Sequence, residues 1–219
     1  MSSREDILGR VRAGLQRNAG NAAVGREVMA AALSSRSQGP KPAMDSAPQA
    51  LLERFRIKSE IQSSTVDIVA RETDAPAAIA RYLTAMKLPK TAVVQPALAH
   101  LDWVAAGLTV ELRGARDADL VGITGCFCAV AETGTLMMCS SPATPAAVSL
   151  LPETHIAVVH AARILPYMED AWNLARAELG SLPRAVNFIS GPSRTGDIEQ
   201  TIVLGAHGPY RVHLVIVED

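Results

Sequence analysis

The sequence predicts an α/β domain built on a single, mostly parallel sheet and preceded by an N-terminal helical arm. From residue 50 onward, short apolar runs alternate with amphipathic stretches, an order typical of a parallel sheet with helical connections. Residues 34–42 are rich in Ser, Pro and Gly, as linkers are. We therefore expect an arm and linker over residues 1–48 and one α/β domain over residues 49–219, a length that suits one core.

Apolar spacing and turn residues predict the individual elements of this domain. Helices are expected over 50–61 and 74–87, and from Pro166 to a stop at Gly180, with Met168 and Trp172 as core residues. Strands are expected over 66–70, 91–94, 108–112, 120–124, 128–131, 135–138, 156–159, 186–189 and 212–217.

The arm is predicted to begin with a helix over residues 1–18. Glu5 and Asp6 suit its first turn, and Gly20 is a stop signal. One apolar stripe would face water unless the helix docks on another surface, so deleting the helix should change assembly or stability. The stripe consists of Ile7, Leu8, Val11 and Leu15.

Charge and composition exclude several classes of function. The 21 basic and 22 acidic residues are interspersed and give a net charge of −1, which argues against nucleic acid or an anionic membrane as partner. No apolar run reaches the roughly 18 residues of a membrane span, and no secretory leader is recognisable. A cytoplasmic protein is expected, with Cys126, Cys128 and Cys139 reduced.

Three polar, glycine-bearing segments interrupt the apolar second half, and we expect them to form one cleft. They are residues 131–135, 191–199 and 205–209, each of which follows or closely precedes a predicted strand. Glu132 lies between a strand and a turn, where it could act as a nucleophile or base, or simply cap backbone amides. His207 could exchange protons near neutral pH, or merely pack in its turn.

Residues 191–195, Gly-Pro-Ser-Arg-Thr, place two hydroxyls and a guanidinium together, which suits a carboxylate or phosphate. The segment lacks the ending of a P-loop, and a structural turn satisfied by Asp197 is the alternative. The other histidines have no zinc-ligand spacing. The three cysteines are too few for a four-cysteine cluster and a Rossmann glycine pattern is missing, so no redox cofactor is expected in this chain.

These strings resemble those of the LutC/YkgG family of lactate-utilisation proteins, whose domain is called LUD. The resemblance rests on Ala-Glu-Thr-Gly-Thr-Leu at 131–136, Leu-Leu-Pro at 150–152, His-Ile-Ala-Val-Val at 155–159, Gly-Pro-Ser-Arg-Thr-Gly-Asp-Ile at 191–198 and Gly-Ala-His-Gly-Pro at 205–209. Two departures are the Gly-Cys-Phe-Cys string at 125–128 and Gly196, where alanine is expected.

The resemblance implies a fold similar to glucosamine-6-phosphate deaminase, ribose-5-phosphate isomerase and the CoA transferases. It also implies a part in oxidising L-lactate to pyruvate beside two iron-sulfur proteins, whose clusters would carry the electrons. Two alternatives remain: a free-standing transferase-like or isomerase-like enzyme that uses Glu132, and a non-catalytic metabolite-binding or structural partner. The candidate catalytic residues are Glu132 and His207, and the candidate binding residues are Thr133, Gly134, Ser193, Arg194, Thr195, Asp197 and Gly208.

Overall fold

A computed structural model describes residues 3–16, 18–35, 37–198 and 201–219, and of residues 19, 197, 198 and 201–203 it describes the backbone only. The chain divides into two compact units, Met1–Pro42 and Ala43–Asp219.

The first unit contains two helices, α1 over Ser3–Gly14 and α2 over Ala19–Ser35. The prediction of Gly20 as a stop signal is wrong, because Gly20 lies in the first turn of α2. Its amide and that of Asn21 donate to the Asn18 side chain at 2.9 and 3.0 Å, so Asn18 caps a helix that its alanines favour. Ile7, on the apolar stripe of α1, is 58% exposed.

The second unit is an α/β domain, as predicted. Its helices are α3 Pro48–Ile61, α4 Ala75–Ala85, α5 Ala147–Leu150 and α6 Met168–Leu179. Its strands are β1 Thr65–Val69, β2 Thr91–Val94, β3 Thr109–Leu112, β4 Val121–Thr124, β5 Cys128–Val130, β6 Thr135–Cys139, β7 Thr154–His160, β8 Ile164–Leu165, β9 Val186–Ile189, β10 Arg194–Ile198, β11 Thr201–Leu204 and β12 Arg211–Val217.

Six strands form an entirely parallel central sheet in the order β1-β12-β7-β4-β2-β3. A mixed sheet, β8-β5-β6-β9, packs beside it, and β10 and β11 form a separate antiparallel pair. Every strand and domain helix predicted from the sequence is present within two residues of its predicted bounds. The sequence did not predict α5, β8, β10 or β11, which are short or polar.

The domain core has three layers of apolar contacts. One face of the central sheet packs on α4 and the segment around Trp103. The other face packs on α3 and the mixed sheet. The far side of the mixed sheet packs on α6, where Met168 and Trp172, predicted as core residues, are partly buried and pack against the core, and Trp172 contacts Phe188 edge to face at 5.5 Å. The interior strands β7 and β12, covered on both faces, are apolar almost throughout.

Candidate functional site

Two polar loops close on the C-terminal turn of α3. The β5–β6 turn places the Thr133 carbonyl where the Gln62 side-chain amide donates to it. One residue later, the Gly134 carbonyl accepts a bond of 3.4 Å from the buried Ser59 hydroxyl. The Ala-Glu-Thr-Gly-Thr string is therefore attached to the end of α3.

Gly134 and Gly191 have positive φ angles of 66° and 79° and contact the α3 backbone closely. A Cβ on Gly134 would lie 2.6 Å from the Ser59 nitrogen, and a Cβ on Gly191 would lie 2.3 Å from the Gln62 carbonyl oxygen. Because a side chain at either position would collide with backbone, both residues must be glycine for these loops to reach the helix.

A line of hydroxyls and one guanidinium surround the same turn. The Thr133 hydroxyl donates to that of Thr135 at 2.7 Å, and the Thr135 hydroxyl lies 2.7 Å from that of Ser190. Arg194 is exposed, and its Nη2 donates to the Ser63 hydroxyl. Two of these residues, Ser190 and Arg194, line a cavity of about 360 Å³ together with Ile61, Gln62 and Pro192. We call Gln62, Ser63, Thr133, Thr135, Ser190 and Arg194 the amino-edge cluster, since Gln62 and Ser63 lie just before β1, which begins at Thr65.

The second and third polar segments also meet. The Ser193 amide donates to the Pro209 carbonyl at 2.9 Å, and the Gly205 amide donates to the Ser193 carbonyl at the same distance. A Cβ on Gly208 would contact the Ser193 side chain at 3.4 Å. His207, between these contacts, is exposed. The 205–209 loop thus supports the start of β10.

The remaining predicted residues are distributed as follows. Glu132 is half-buried, and its amide donates to the Pro166 carbonyl at 3.1 Å. Within the described part of the chain, no hydrogen bond or ion pair of its carboxylate is seen, and none joins it to His207. Thr195 lies in strand β10 opposite Val203, so Arg194 and Thr195 belong to a strand rather than a turn. The side chain of Asp197 lies outside the described residues.

Two buried histidines in the central sheet were not singled out as site residues. His155 Nε2 lies 2.8 Å from the Thr124 hydroxyl, and His213 Nδ1 lies 2.9 Å from that of Thr65 while its ring stacks on Tyr82 at 3.8 Å. Burial lowers the pKa of each to about 4, because the protonated ring cannot be solvated there. Both are therefore neutral at physiological pH.

The sequence did not predict a larger cavity, of about 720 Å³, at the carboxyl edge of the central sheet. Its walls come from the segments that follow β2, β4, β6 and β7, and from the end of α6. We call it the switch-point crevice. Its lining includes Gln95, Ala97, Gly125, Cys126, Phe127, Met138, Cys139, Ser140, His160, Ala162, Arg163, Glu178 and Asp219.

Hydrogen bonds between residues of the lining connect the walls of the crevice. The buried Gln95 accepts a bond of 3.2 Å from the Gly125 amide and so links the ends of β2 and β4. Arg163 donates to the Phe127 carbonyl at 2.9 Å and to both Glu178 oxygens at 2.6 and 2.8 Å. The sequence could have indicated this crevice, because Gln95 and Gly125 each directly follow a predicted strand.

Two cysteines of the crevice lining, Cys126 and Cys139, and the buried Cys128 beside it carry free thiols. The Cys126 thiol donates to the Cys128 carbonyl at 2.8 Å. Burial raises the pKa of Cys126 and Cys139, and raises that of Cys128 to about 12, so all three remain protonated at neutral pH. No group of three or more His, Cys, Asp or Glu residues in the described ranges is arranged to hold a metal ion.

Comparison with known proteins identifies the family. Residues 52–217 match the sequence profile of the LUD domain. The chain belongs to the LUD domain family. Among solved structures, a DUF162 family protein from Deinococcus radiodurans superposes with a TM-score of 0.61 at 23% identity, covering 79% of this chain and 99% of that one, which supports the fold.

Curated relatives match the LUD chain over about half of their own length. Lactate utilization protein C of Bacillus licheniformis is 35% identical over 121 residues, 54% of this chain and 50% of that protein. Lactate utilization protein C 1 of Bacillus mycoides is 41% identical over 112 residues, 50% of this chain and 47% of that protein. In the ranges that the structure describes, no helix has both the length and the apolarity to cross a bilayer.

Proposed function

We propose that this LUD chain is a cytoplasmic subunit of an L-lactate utilisation system and that its amino-edge cluster binds the substrate carboxylate. Its relatives named Lactate utilization protein C support the pathway. The observation that carries the proposal is the exposed Arg194 guanidinium at the wall of a cavity of about 360 Å³. In this proposal two iron-sulfur proteins carry the electrons that leave L-lactate when it becomes pyruvate.

The chemistry of the cluster suits a small 2-hydroxy acid. Arg194 presents a planar donor fork that matches a carboxylate, and its present partner is the neutral Ser63 hydroxyl rather than a described carboxylate. The hydroxyl of Ser190 and the amide of Gln62 line the same cavity and could bond the substrate hydroxyl. The glycine contacts with α3 hold these groups in place before a ligand binds, which reduces the entropy lost on binding.

Substitution of Arg194 tests this proposal in a system reconstituted with the two iron-sulfur proteins. Arg194→Lys keeps the charge but removes the fork, so L-lactate binding should weaken by roughly 1–3 kcal/mol, and Arg194→Ala should weaken it at least as much. Arg81→Ala, which changes an exposed arginine on α4, is the control. Full lactate-dependent electron transfer with both Arg194 variants would exclude this cluster as the substrate site.

A second candidate function is acyl or CoA transfer, or sugar-phosphate isomerisation, with Glu132 as nucleophile or base. It is favoured by the half-buried Glu132 carboxylate, for which the described residues provide no partner, and by the proposed relationship to the CoA transferase superfamily. Incubation with acyl-CoA followed by mass spectrometry of the peptide that contains Glu132 separates the two functions. An adduct that Glu132→Gln abolishes would favour the enzyme.

The third alternative is a subunit that binds the metabolite without transforming it or serves only as a structural partner. L-lactate would then raise the melting temperature of the chain, yet omission of the chain from the reconstituted system would leave turnover unchanged. Loss of turnover on omission would exclude this reading.

A further inference from the structure

The switch-point crevice lies where the strand order of the central sheet reverses. From β2 the chain continues to β3 at the outer edge of the sheet, whereas from β4 it continues, by way of the mixed sheet, to β7 in the interior. The segments that follow these two neighbouring strands therefore diverge. In open α/β sheets, ligands bind at such a point beyond the carboxyl ends of the strands. The amino-edge cluster occupies no such position.

The size of the crevice indicates what class of molecule it could hold. Its volume of about 720 Å³ is twice the 360 Å³ of the amino-edge cavity. Pockets of roughly 300–1,000 Å³ enclose organic molecules with one or more rings. A three-carbon hydroxy acid would leave most of this space empty, so the crevice fits a larger ligand than the proposed substrate.

The walls of the crevice favour an aromatic ring. Phe127 forms one wall, with the Arg163 guanidinium 5.0 Å from its ring centroid. Three residues with sulfur in their side chains, Cys126, Met138 and Cys139, line other parts of the cavity. Sulfur makes favourable contacts with aromatic rings, and the raised thiol pKa values keep these groups uncharged.

The charges of the crevice disfavour an anion. All the described hydrogen bonds of Arg163 go to the Phe127 carbonyl and to Glu178, which neutralises it. Asp219 also lines the cavity and adds negative charge, while His160 lies 3.4 Å from a Glu72 oxygen. A carboxylate or phosphate would enter without a free cation to receive it.

We propose that the switch-point crevice binds an uncharged, planar heteroaromatic molecule. Its ring lies against Phe127 and the sulfur-bearing wall, and its hydrogen-bonding edge lies toward the polar groups of Gln95 and Ser140. This site is separate from the amino-edge cluster and takes a different class of ligand.

Two probes that share a ring and differ in charge test the proposal on the full chain. Saturation-transfer NMR is used to titrate indole-3-acetamide and indole-3-acetate. We expect the amide to bind about tenfold more tightly, because the acetate would place an unpaired negative charge near Glu178 and Asp219. No detectable transfer to the amide, or equal or tighter binding of the acetate, would overturn the proposal.

A blocking substitution shows where the probe binds. Ala162 is exposed and lines the crevice, so Ala162→Trp should fill it without disturbing the core and should abolish transfer to indole-3-acetamide. Ala77→Trp, at an exposed position on α4 outside the lining, is the matched control and should retain binding. Retained binding in a folded Ala162→Trp variant would contradict the site. L-lactate binding, measured in parallel, should be unaltered by Ala162→Trp. The experiment can therefore contradict this proposal without contradicting the lactate proposal, and the reverse.

Discussion

The amino-edge cluster and the switch-point crevice lie at opposite ends of the central strands and are built differently. The cluster consists of loops whose glycines contact the α3 backbone, and most of its polar groups already bond one another. The crevice is an open volume between diverging segments, braced by hydrogen bonds that include those of Gln95 and of the Arg163–Glu178 pair. Glycines within the strings that carry the family resemblance thus make backbone contacts that specify the fold. The larger cavity, in contrast, results from the order of the strands in the central sheet.

The sharpest test of this contrast is to add one methyl group to a glycine of the cluster. Gly134→Ala should lower the free energy of unfolding by about 3 kcal/mol or more, because its Cβ would meet the Ser59 nitrogen at 2.6 Å and φ is +66°. Gly107→Ala is the control, since φ is +74° but no atom lies within 4 Å, and it should cost about 1 kcal/mol. Equal losses in urea titrations would mean that α3 does not constrain the loop.

For both regions, the sequence could predict the strands and turns more readily than how these elements are arranged in space. Apolar runs predicted the strands that end before Gln95 and Gly125. The order of the strands could not be predicted, because it depends on pairings such as that of Val93 with Gly122, which no local pattern encodes. The glycines at 134 and 191 indicated turns, whereas the reason for them is the position of α3. The sequence predicted a turn at Arg194 because β10 is polar and contains Gly196.

A second test concerns the two buried histidines near the amino ends of the central strands and the pH dependence of stability that they cause. His155 and His213 have pKa values lowered to about 4 from the ordinary 6.5, so the unfolded chain binds protons first as pH falls. Their contribution to stability is complete above pH 6.5 and should be lost between about 6.5 and 4. His213→Phe preserves stacking on Tyr82 and removes one titrating group, so chemical denaturation across this range should show a shallower pH dependence. An unchanged slope would contradict the assignment of His213.

A third test changes the charge of the crevice alone. Glu178→Gln removes the carboxylate that neutralises Arg163. The affinity for indole-3-acetate, relative to that for indole-3-acetamide, should therefore rise about threefold, while the melting temperature changes little. The same substitution should leave L-lactate binding unaltered. If the ratio of the two affinities is unchanged in NMR titrations, Arg163 does not determine the charge preference.

The smallest effect on the stability of the domain is expected from removing the first unit, so the change predicted for deletion of the helix over residues 1–18 should be sought in assembly rather than in stability. All three apolar clusters of the core consist of residues between Met44 and Val217, so a chain that starts at Ala43 should unfold cooperatively, with a midpoint close to that of the full chain. Circular dichroism during thermal unfolding would measure this. A broad, non-cooperative transition would show that α1 and α2 are needed for the domain to fold.

The position of β12 has a consequence for how the domain forms during synthesis. β12 lies between β1 and β7, and Thr65 pairs with His213 across 148 positions of sequence. β1 therefore has no hydrogen-bonded neighbour in the sheet until residues 211–217 have been synthesised. Pairings this distant in sequence also slow folding, because a long loop must close before the contacts that stabilise it can form. The central sheet of the LUD domain is accordingly completed at its β1 edge only once β12 is in place.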